Sequence, residues 1–230
     1  MWHAIEQRLL YHPLPGSSGN WEYGHYRQVG TSNRVFFMCH GNMGNARQRL
    51  AWVGIFGEGH YYIHEYAGFG SRYGLDELSR TSLVHRANMA LATIHTGPLY
   101  LIGESLGTGI VCELATRYYP RGIVLLTPYS TMTAMAHRVI PILGPLLLQD
   151  RYNTVHYLRM LQRLPHPPWI SVVAGRSDSI IPASQTRQVA KAGTCSVLWY
   201  TGDHDDLFRA QVEWLPAVTR LLSRSDVVEQ

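Results

Sequence analysis

The sequence predicts an α/β fold in which a mostly parallel sheet is flanked by helices and covered by a small helical cap. Short apolar runs alternate with longer stretches of helical periodicity, a pattern typical of parallel sheets with helices on both faces. One stretch, residues 130–168, interrupts this alternation because it has no strand-like run. With 230 residues, of which 46% are hydrophobic, the chain can bury a sizeable core. We therefore expect residues 1–230 to form a single domain.

The apolar runs define the expected strands and the periodic stretches define the expected helices. Core strands are predicted at residues 35–39, 61–65, 99–103, 122–127, 170–174 and 196–201. Helices are predicted near residues 46–56, 75–95, 106–119, 184–192 and 206–223. The third of these carries Ile110, Val111, Leu114 and Ala115 on one face, as a helix packed on a sheet should. Residues 23–29 are expected to add an outer antiparallel strand.

Residues 130–168, which we call the cap segment, are predicted to form a helical insertion over the carboxyl ends of the strands. The segment is rich in apolar residues and ends at the proline-rich turn 165–168. An ordinary crossover helix with long loops is the alternative, but nearly forty residues exceed the usual connection length. The most apolar part, residues 139–148, is too short to span a bilayer and is interrupted by Pro141, Gly144 and Pro145.

Charge and cysteine content exclude several classes of function. The net charge of +4 comes mostly from scattered arginines, without the basic stripe that nucleic-acid binding requires. The three cysteines form no metal-type pair and are expected to be buried thiols. His60 and His64 lie in a strand pattern without a third ligand, so no metal site is expected. The first eight residues lack the apolar core of a signal peptide, which favours a soluble cytoplasmic protein.

Ser105 is the candidate nucleophile. It lies in Gly103-Glu104-Ser105-Leu106-Gly107, directly after an apolar run and directly before a helical stretch. In this strand–turn–helix context a G-x-S-x-G motif forms a sharp turn that exposes the serine hydroxyl. The motif alone is weak, but an aspartate and a histidine follow it in the chain order Ser, Asp, His.

His204 and Asp178 are the candidate base and its orienting acid. Each lies in a loop that follows one of the last two predicted strands, where an open α/β sheet places its reactive groups. A histidine can take the proton of a serine hydroxyl, and an aspartate can fix the histidine tautomer. Asp203, Asp205 and Asp206 are rival acids, but immediate neighbours of a histidine are badly placed to reach its ring.

A preceding glycine-rich turn, residues 40–45, is the candidate oxyanion site. Preorganised N–H groups stabilise the negative charge of a tetrahedral intermediate. One donor is expected to be the backbone N–H of Leu106, which follows the nucleophile. The other is expected from the turn, with the Asn42 N–H as the first choice and that of Met43 as the second.

Taken together, these motifs resemble those of the α/β-hydrolase superfamily from about residue 35 onward. The likeness is closest to small α/β-hydrolase-domain serine hydrolases, which include eukaryotic protein depalmitoylases and bacterial relatives. It rests on segments 40–50, 66–71, 103–107, 127–130 and 141–153 and on the loops of Asp178 and His204. The chain departs from the family at Ala67, where arginine is usual, and at Thr108, where a second glycine often follows. The resemblance implies a hydrolase fold with a Ser-His-Asp triad.

These observations predict a serine hydrolase that cleaves carboxylic esters or thioesters through an acyl-enzyme and needs no cofactor. Met43 and Tyr129 are the candidate substrate-binding residues. An aminopeptidase-like amide hydrolase is one alternative, for which Glu104 or the acidic loop 203–206 could bind a free amino terminus. A hydrolase fold retained as a binding protein is another. The sequence leaves the physiological substrate and the oligomeric state open.

Overall fold

The computed structural model describes residues 2–225. The strands of this range are β1 (His12–Pro13), β2 (Gly24–Val29), β3 (Val35–Cys39), β4 (Met43–Gly44), β5 (Gly59–His64), β6 (Leu99–Glu104), β7 (Gly122–Leu126), β8 (Trp169–Gly175) and β9 (Val197–Tyr200). The α-helices are α1 (Trp2–Leu10), α2 (Arg80–Leu91), α3 (Leu106–Tyr118), α4 (Met132–Val139), α5 (Leu143–Leu147), α6 (Thr154–Leu161), α7 (Ala183–Ala192) and α8 (Gln211–Ser225). None of the described helices is long and apolar enough to cross a bilayer.

Seven strands form one sheet in the order β2-β5-β3-β6-β7-β8-β9. All neighbours in it are parallel except β2, which runs antiparallel to β5 at the edge. The predicted fold class and the outer antiparallel strand are therefore confirmed. The chain adds β5 on one side of β3 and then crosses to the other side for β6, so the winding direction changes between β3 and β6. A crevice forms at the carboxyl ends of strands at such a point.

The central strands are apolar along their whole length because helices cover both faces of the sheet. All five residues of β3 are buried, and alternate side chains enter different cores. Phe36 and Met38 pack in the core beneath α8, whereas Val35, Phe37 and Cys39 pack in the core that contains α3. Helix α3 is buried on more than the one face predicted, since α2 and α6 pack against it in addition to the sheet.

Local capping explains where the observed helices differ from those predicted. The expected helix at 46–56 is a short 3₁₀ helix, Ala46–Trp52, which begins with a capping box between Asn45 and Gln48. Helix α2 begins later than expected because Ser79 caps it with Ser82. The last helix is split, with a 3₁₀ turn at His204–Asp206 ahead of α8. Elements α1 and β1 were not predicted.

The cap segment contains α4, α5 and α6 between β7 and β8. A buried carboxylate, that of Asp150, joins this segment to the rest of the molecule. Its Oδ2 accepts a hydrogen bond from the Tyr11 hydroxyl at 2.7 Å, and its Oδ1 accepts the Arg80 backbone N–H at 2.9 Å. The backbone N–H of Asp150 in turn donates to Glu6 at 2.8 Å.

Replacing Asp150 with alanine is expected to lower the free energy of unfolding by about 2–4 kcal/mol, because buried donors are left without their acceptor. Urea denaturation of the variant and the wild type measures this difference. Glu22→Ala removes an exposed carboxylate and is expected to change stability by less than about 0.5 kcal/mol. Equal stability of the two variants would contradict the structural role of Asp150.

Candidate active site

Ser105 lies at the turn between β6 and α3, at the carboxyl edge of the sheet. Its backbone has φ 48° and ψ −111°, a strained conformation for a residue other than glycine. The turn is tight on both sides. A Cβ at Gly103 would lie 2.7 Å from the Gly107 carbonyl oxygen, and a Cβ at Gly107 would lie 2.2 Å from that of Cys39. The two glycines of the motif are therefore required by close backbone approach, and the strained turn exposes the Ser105 hydroxyl to the crevice.

His204 and Asp178 meet at the same edge. The Nε2 atom of His204 lies 3.2 Å from Ser105 Oγ, and its Nδ1 lies 2.9 Å from Asp178 Oδ2. A carboxylate only accepts hydrogen bonds, so Nδ1–H donates to Asp178 and Nε2 is left to accept the serine proton. The other oxygen of Asp178 accepts the backbone N–H groups of Ile180 and Ile181 at 3.0 and 2.7 Å. These two bonds fix the carboxylate against the imidazole.

The rival acid Asp203 is committed elsewhere. Its carboxylate accepts the backbone N–H and the hydroxyl of Ser179, at 2.7 Å and at 2.8–2.9 Å. It also accepts the backbone N–H of His204 at 2.6 Å. Asp203 thus binds backbone N–H groups of the loops, whereas Asp178 binds the imidazole ring of His204.

The surroundings of His204 change its basicity. Burial alone would lower the pKa of His204, but the hydrogen bond and the charge of Asp178 outweigh it. The charges of Asp205 and Glu104 raise the pKa further. The pKa of His204 therefore lies above its ordinary value of 6.5. A base with a raised pKa takes a proton more readily, and it must be neutral to do so.

The proposed oxyanion turn is held by parts of the chain that the sequence did not associate with it. The Asn42 carbonyl accepts the His12 N–H at 2.9 Å, and the Asn42 side chain donates to Leu10 at 3.1 Å. Strand β4 also pairs with β1. The ring Nδ1 of His40 donates to the Gly41 carbonyl at 2.7 Å. Because N–H and C=O point in opposite directions across a trans peptide, the Asn42 N–H points away from the His40 ring.

An ion pair that the sequence did not reveal lies beside Ser105. The Nε and Nη2 of Arg49 donate to the two carboxylate oxygens of Glu104 at 3.0 and 2.9 Å. Burial alone would raise the pKa of Glu104, but the charge and hydrogen bonds of Arg49 outweigh it, and the pKa lies below its ordinary value. The carboxylate is thus ionised and already engaged by a bidentate guanidinium.

A cavity of about 400 Å³ opens at this edge and contains Ser105, Leu106 and His204 in its wall. Gly41, Asn42, Met43 and Tyr129 also line it. Tyr129 is buried and Met43 is exposed at the rim. Most of the remaining wall is apolar and comes from α1, from α4 and from the residues that directly follow α4 and α5, with Leu10, Met132, Met135, Ile140 and Leu148 as examples.

The structure resembles solved structures of α/β hydrolases. It aligns with an esterase of Pyrococcus furiosus at a TM-score of 0.67 and 12% identity, covering 94% of this chain and 98% of that one. It aligns with mouse alpha/beta hydrolase domain-containing protein 10 at a TM-score of 0.63 and 17% identity, covering 86% and 93%. The chain has the α/β-hydrolase fold. The resemblance noted in the sequence is confirmed at the level of this fold.

Sequence similarity to known proteins does not indicate an activity for this chain. An uncharacterised protein of Mycobacterium tuberculosis is 27% identical over 225 residues, which is 92% of this chain and 77% of that protein. No protein-family model matches the chain. The structural relatives share the hydrolase fold at low identity, and a shared fold does not determine the function.

Proposed function

We propose that the protein is a serine hydrolase that cleaves carboxylic esters or thioesters through an acyl-enzyme intermediate. The observation that carries this proposal is the continuous contact from Asp178 through His204 to Ser105. Ser105 and His204 lie in the wall of a largely apolar cavity. The esterase activity named for the Pyrococcus relative agrees with the proposal.

The first half-reaction forms the acyl-enzyme. Ser105 Oγ attacks the acyl carbonyl carbon while its proton moves to His204 Nε2. Asp178 stabilises the resulting imidazolium, and the backbone N–H groups of Leu106 and Asn42 hold the oxyanion. The C–O or C–S bond to the leaving group then breaks, and the alcohol or thiol departs with the proton from Nε2.

The second half-reaction releases the acid. His204 Nε2 takes a proton from a water molecule, which attacks the acyl carbon of the serine ester. The tetrahedral intermediate uses the same two N–H donors, and its collapse returns the proton from Nε2 to Ser105 Oγ. The carboxylic acid leaves and no cofactor takes part.

The first helical position of Leu106 supports its role as oxyanion donor. Leu106 begins α3, and the N–H groups of a first helical turn have no acceptor within the helix. Asn42, which lines the cavity together with Ser105 and Leu106, is proposed as the second donor. Met43 and Tyr129, which line the cavity, are proposed to contact the substrate.

The apolar wall supports an apolar acyl group as the part of the substrate that fills the cavity. Burying each methylene stabilises the bound state by up to about 0.8 kcal/mol. Longer acyl chains should therefore raise kcat/KM until the cavity is full.

The aminopeptidase alternative is less well supported. Glu104 is one of the candidate groups to bind a free amino terminus, but its carboxylate is occupied by Arg49. Asp205 lines the cavity and remains as an exposed acidic group. A single unpaired carboxylate at the rim is weak support for an amino-terminal subsite.

Hydrolysis of p-nitrophenyl octanoate, the octanoyl thioester of N-acetylcysteamine and leucine p-nitroanilide tests the proposal. We expect turnover of the ester and the thioester, with kcat/KM for the octanoyl ester at least tenfold above that for the acetyl ester. Preferential turnover of the anilide, lost on acetylation of its amino group, would favour the aminopeptidase. No turnover of any substrate would favour a binding protein.

A further inference from the structure

The cap segment exposes an apolar surface to solvent. We call it the cap patch and define it as Val139, Ile142, Leu143, Leu146 and Leu147. Ile142 is 72% exposed, Leu146 is 71% exposed and Val139 is 67% exposed. Single exposed apolar residues are normal, but a cluster of this kind marks an interaction site. The five residues fall within nine consecutive positions of α4, α5 and their connection.

The backbone presents this patch at a local cost. Ile142 has φ 68° and ψ −60°, a conformation that β-branched residues rarely adopt. Most of the side chain held in this way is exposed to solvent. Strained positions of this kind are concentrated at functional sites.

The patch is continuous with the mouth of the cavity. Val139 belongs to both, since it is exposed and also lines the cavity. Gly144 of α5 and Leu148, which directly follows α5, line the cavity, whereas Leu143, Leu146 and Leu147 of α5 are exposed. Leu9 and Ile180 add further exposed apolar groups at the cavity rim. The cap patch therefore adjoins the apolar part of the cavity wall.

The exposed charged residues of the cap segment have one sign. The cap segment contains four arginines and a single carboxylate, and that carboxylate, Asp150, is buried and hydrogen-bonded. The arginines, all exposed, are Arg138, Arg151, Arg159 and Arg163. Arg138 adjoins Val139 in the chain, and Arg151 donates to the Pro145 carbonyl of α5 at 3.4 Å. Asp205 is the exposed acidic group among the cavity-lining residues.

We propose that the cap patch and its arginines dock the protein on an anionic lipid bilayer, with the cavity mouth facing the membrane. Apolar side chains enter the boundary between headgroups and acyl chains, while neighbouring cationic groups are attracted to anionic lipids. A protein partner would need the apolar contacts but not the excess of exposed arginines in the cap segment, so the arginines favour the bilayer. Docking places the cavity mouth where an acyl group can move directly from the membrane to Ser105.

Sedimentation with vesicles tests the docking directly. Vesicles of 30% phosphatidylglycerol and 70% phosphatidylcholine should bind the wild-type chain at low salt, and vesicles of pure phosphatidylcholine should bind it at least tenfold more weakly. Binding should weaken as the salt concentration rises, because salt screens the arginine charges. Absence of binding to the anionic vesicles would overturn the proposal.

The double variant Ile142→Glu, Leu146→Glu tests whether vesicle binding comes from the cap patch or from nonspecific adsorption of the protein. Neither residue lines the cavity, and both are exposed, so the unfolding midpoint should be retained. The partition constant of the double variant between water and the anionic vesicles should be at least tenfold lower than that of the wild type. Val212→Glu is the matched control. Val212 is 77% exposed on α8, which packs on the other face of the sheet. The Val212→Glu variant should bind the vesicles as the wild type does.

Two results of this comparison would overturn the proposal. One is equal binding of the double variant and the wild type. The other is a wild-type dimer in light scattering that the double variant abolishes, since the patch would then be an interface between copies of the chain. Both measurements are independent of turnover, so failure of docking and failure of the proposed hydrolase activity are distinguishable.

Discussion

Alanine at position 105 is expected to reduce kcat for a soluble aryl ester by about 10⁴-fold or more. The hydroxyl is the atom that forms the acyl-enzyme in the proposed mechanism, and alanine leaves His204 without a group to activate. Binding should be largely retained, because the cavity wall and the backbone N–H donors are unchanged. KM should therefore change far less than kcat.

The control is Ser177→Ala, which removes an exposed serine from another loop at the carboxyl edge of the sheet. Initial rates with p-nitrophenyl octanoate, measured for both variants and the wild type, give the comparison. Ser177→Ala should keep kcat within about twofold. Undiminished turnover by the Ser105 variant would show that another group performs the reaction.

Asp178→Asn is expected to lower kcat by about 10⁴-fold, the effect known for the corresponding change in a serine protease. An asparagine amide can donate to Nδ1 of His204, which favours the wrong tautomer for accepting the Ser105 proton. The change also removes the hydrogen bond and the charge that raise the pKa of His204.

The pH profile gives this substitution a second readout. Wild-type kcat/KM should fall as the pH drops through the raised pKa of His204, above 6.5, because the imidazolium cannot accept a proton. In Asp178→Asn the remaining activity should fall at a lower pH. Asp203→Asn is the matched control and should lower kcat by less than about tenfold. A larger loss at Asp203 than at Asp178 would reverse the proposed assignment of the orienting acid.

Local signals in the sequence were sufficient to predict the sheet. The strand at 35–39 is found with the predicted bounds, because five consecutive apolar residues satisfy a strand that is covered on both faces. The other core strands differ from prediction by one or two residues at an end. The Ser105 turn could likewise be predicted, because its two glycines are adjacent in sequence to the strained residue they accommodate.

Contacts between distant residues could not be predicted in the same way. Arg49 and Glu104 are 55 positions apart, and nothing in either local pattern indicates the partner. The pairing of β1 with β4 joins residues 12–13 to 43–44, and two-residue strands leave no periodicity. The exposed face of α5 could not be predicted either, because an apolar run does not show which of its residues contact solvent.

The side chains of the candidate site were predicted from motif order, and the structure brings Ser105, His204 and Asp178 into contact. Their catalytic roles remain proposals. These roles require that the Ser105 hydroxyl is chemically activated. Its hydrogen bond to His204 supports activation, and a chemical probe can measure it.

Labelling with a fluorophosphonate, detected by the mass of the intact protein, tests the activation of Ser105 most directly. The reagent phosphonylates an activated serine with loss of fluoride, and it requires no knowledge of the substrate. We expect one adduct on the wild-type chain and none on Ser105→Ala. A wild-type chain that stays unlabelled, or an adduct that persists in the variant, would contradict an activated nucleophile at Ser105.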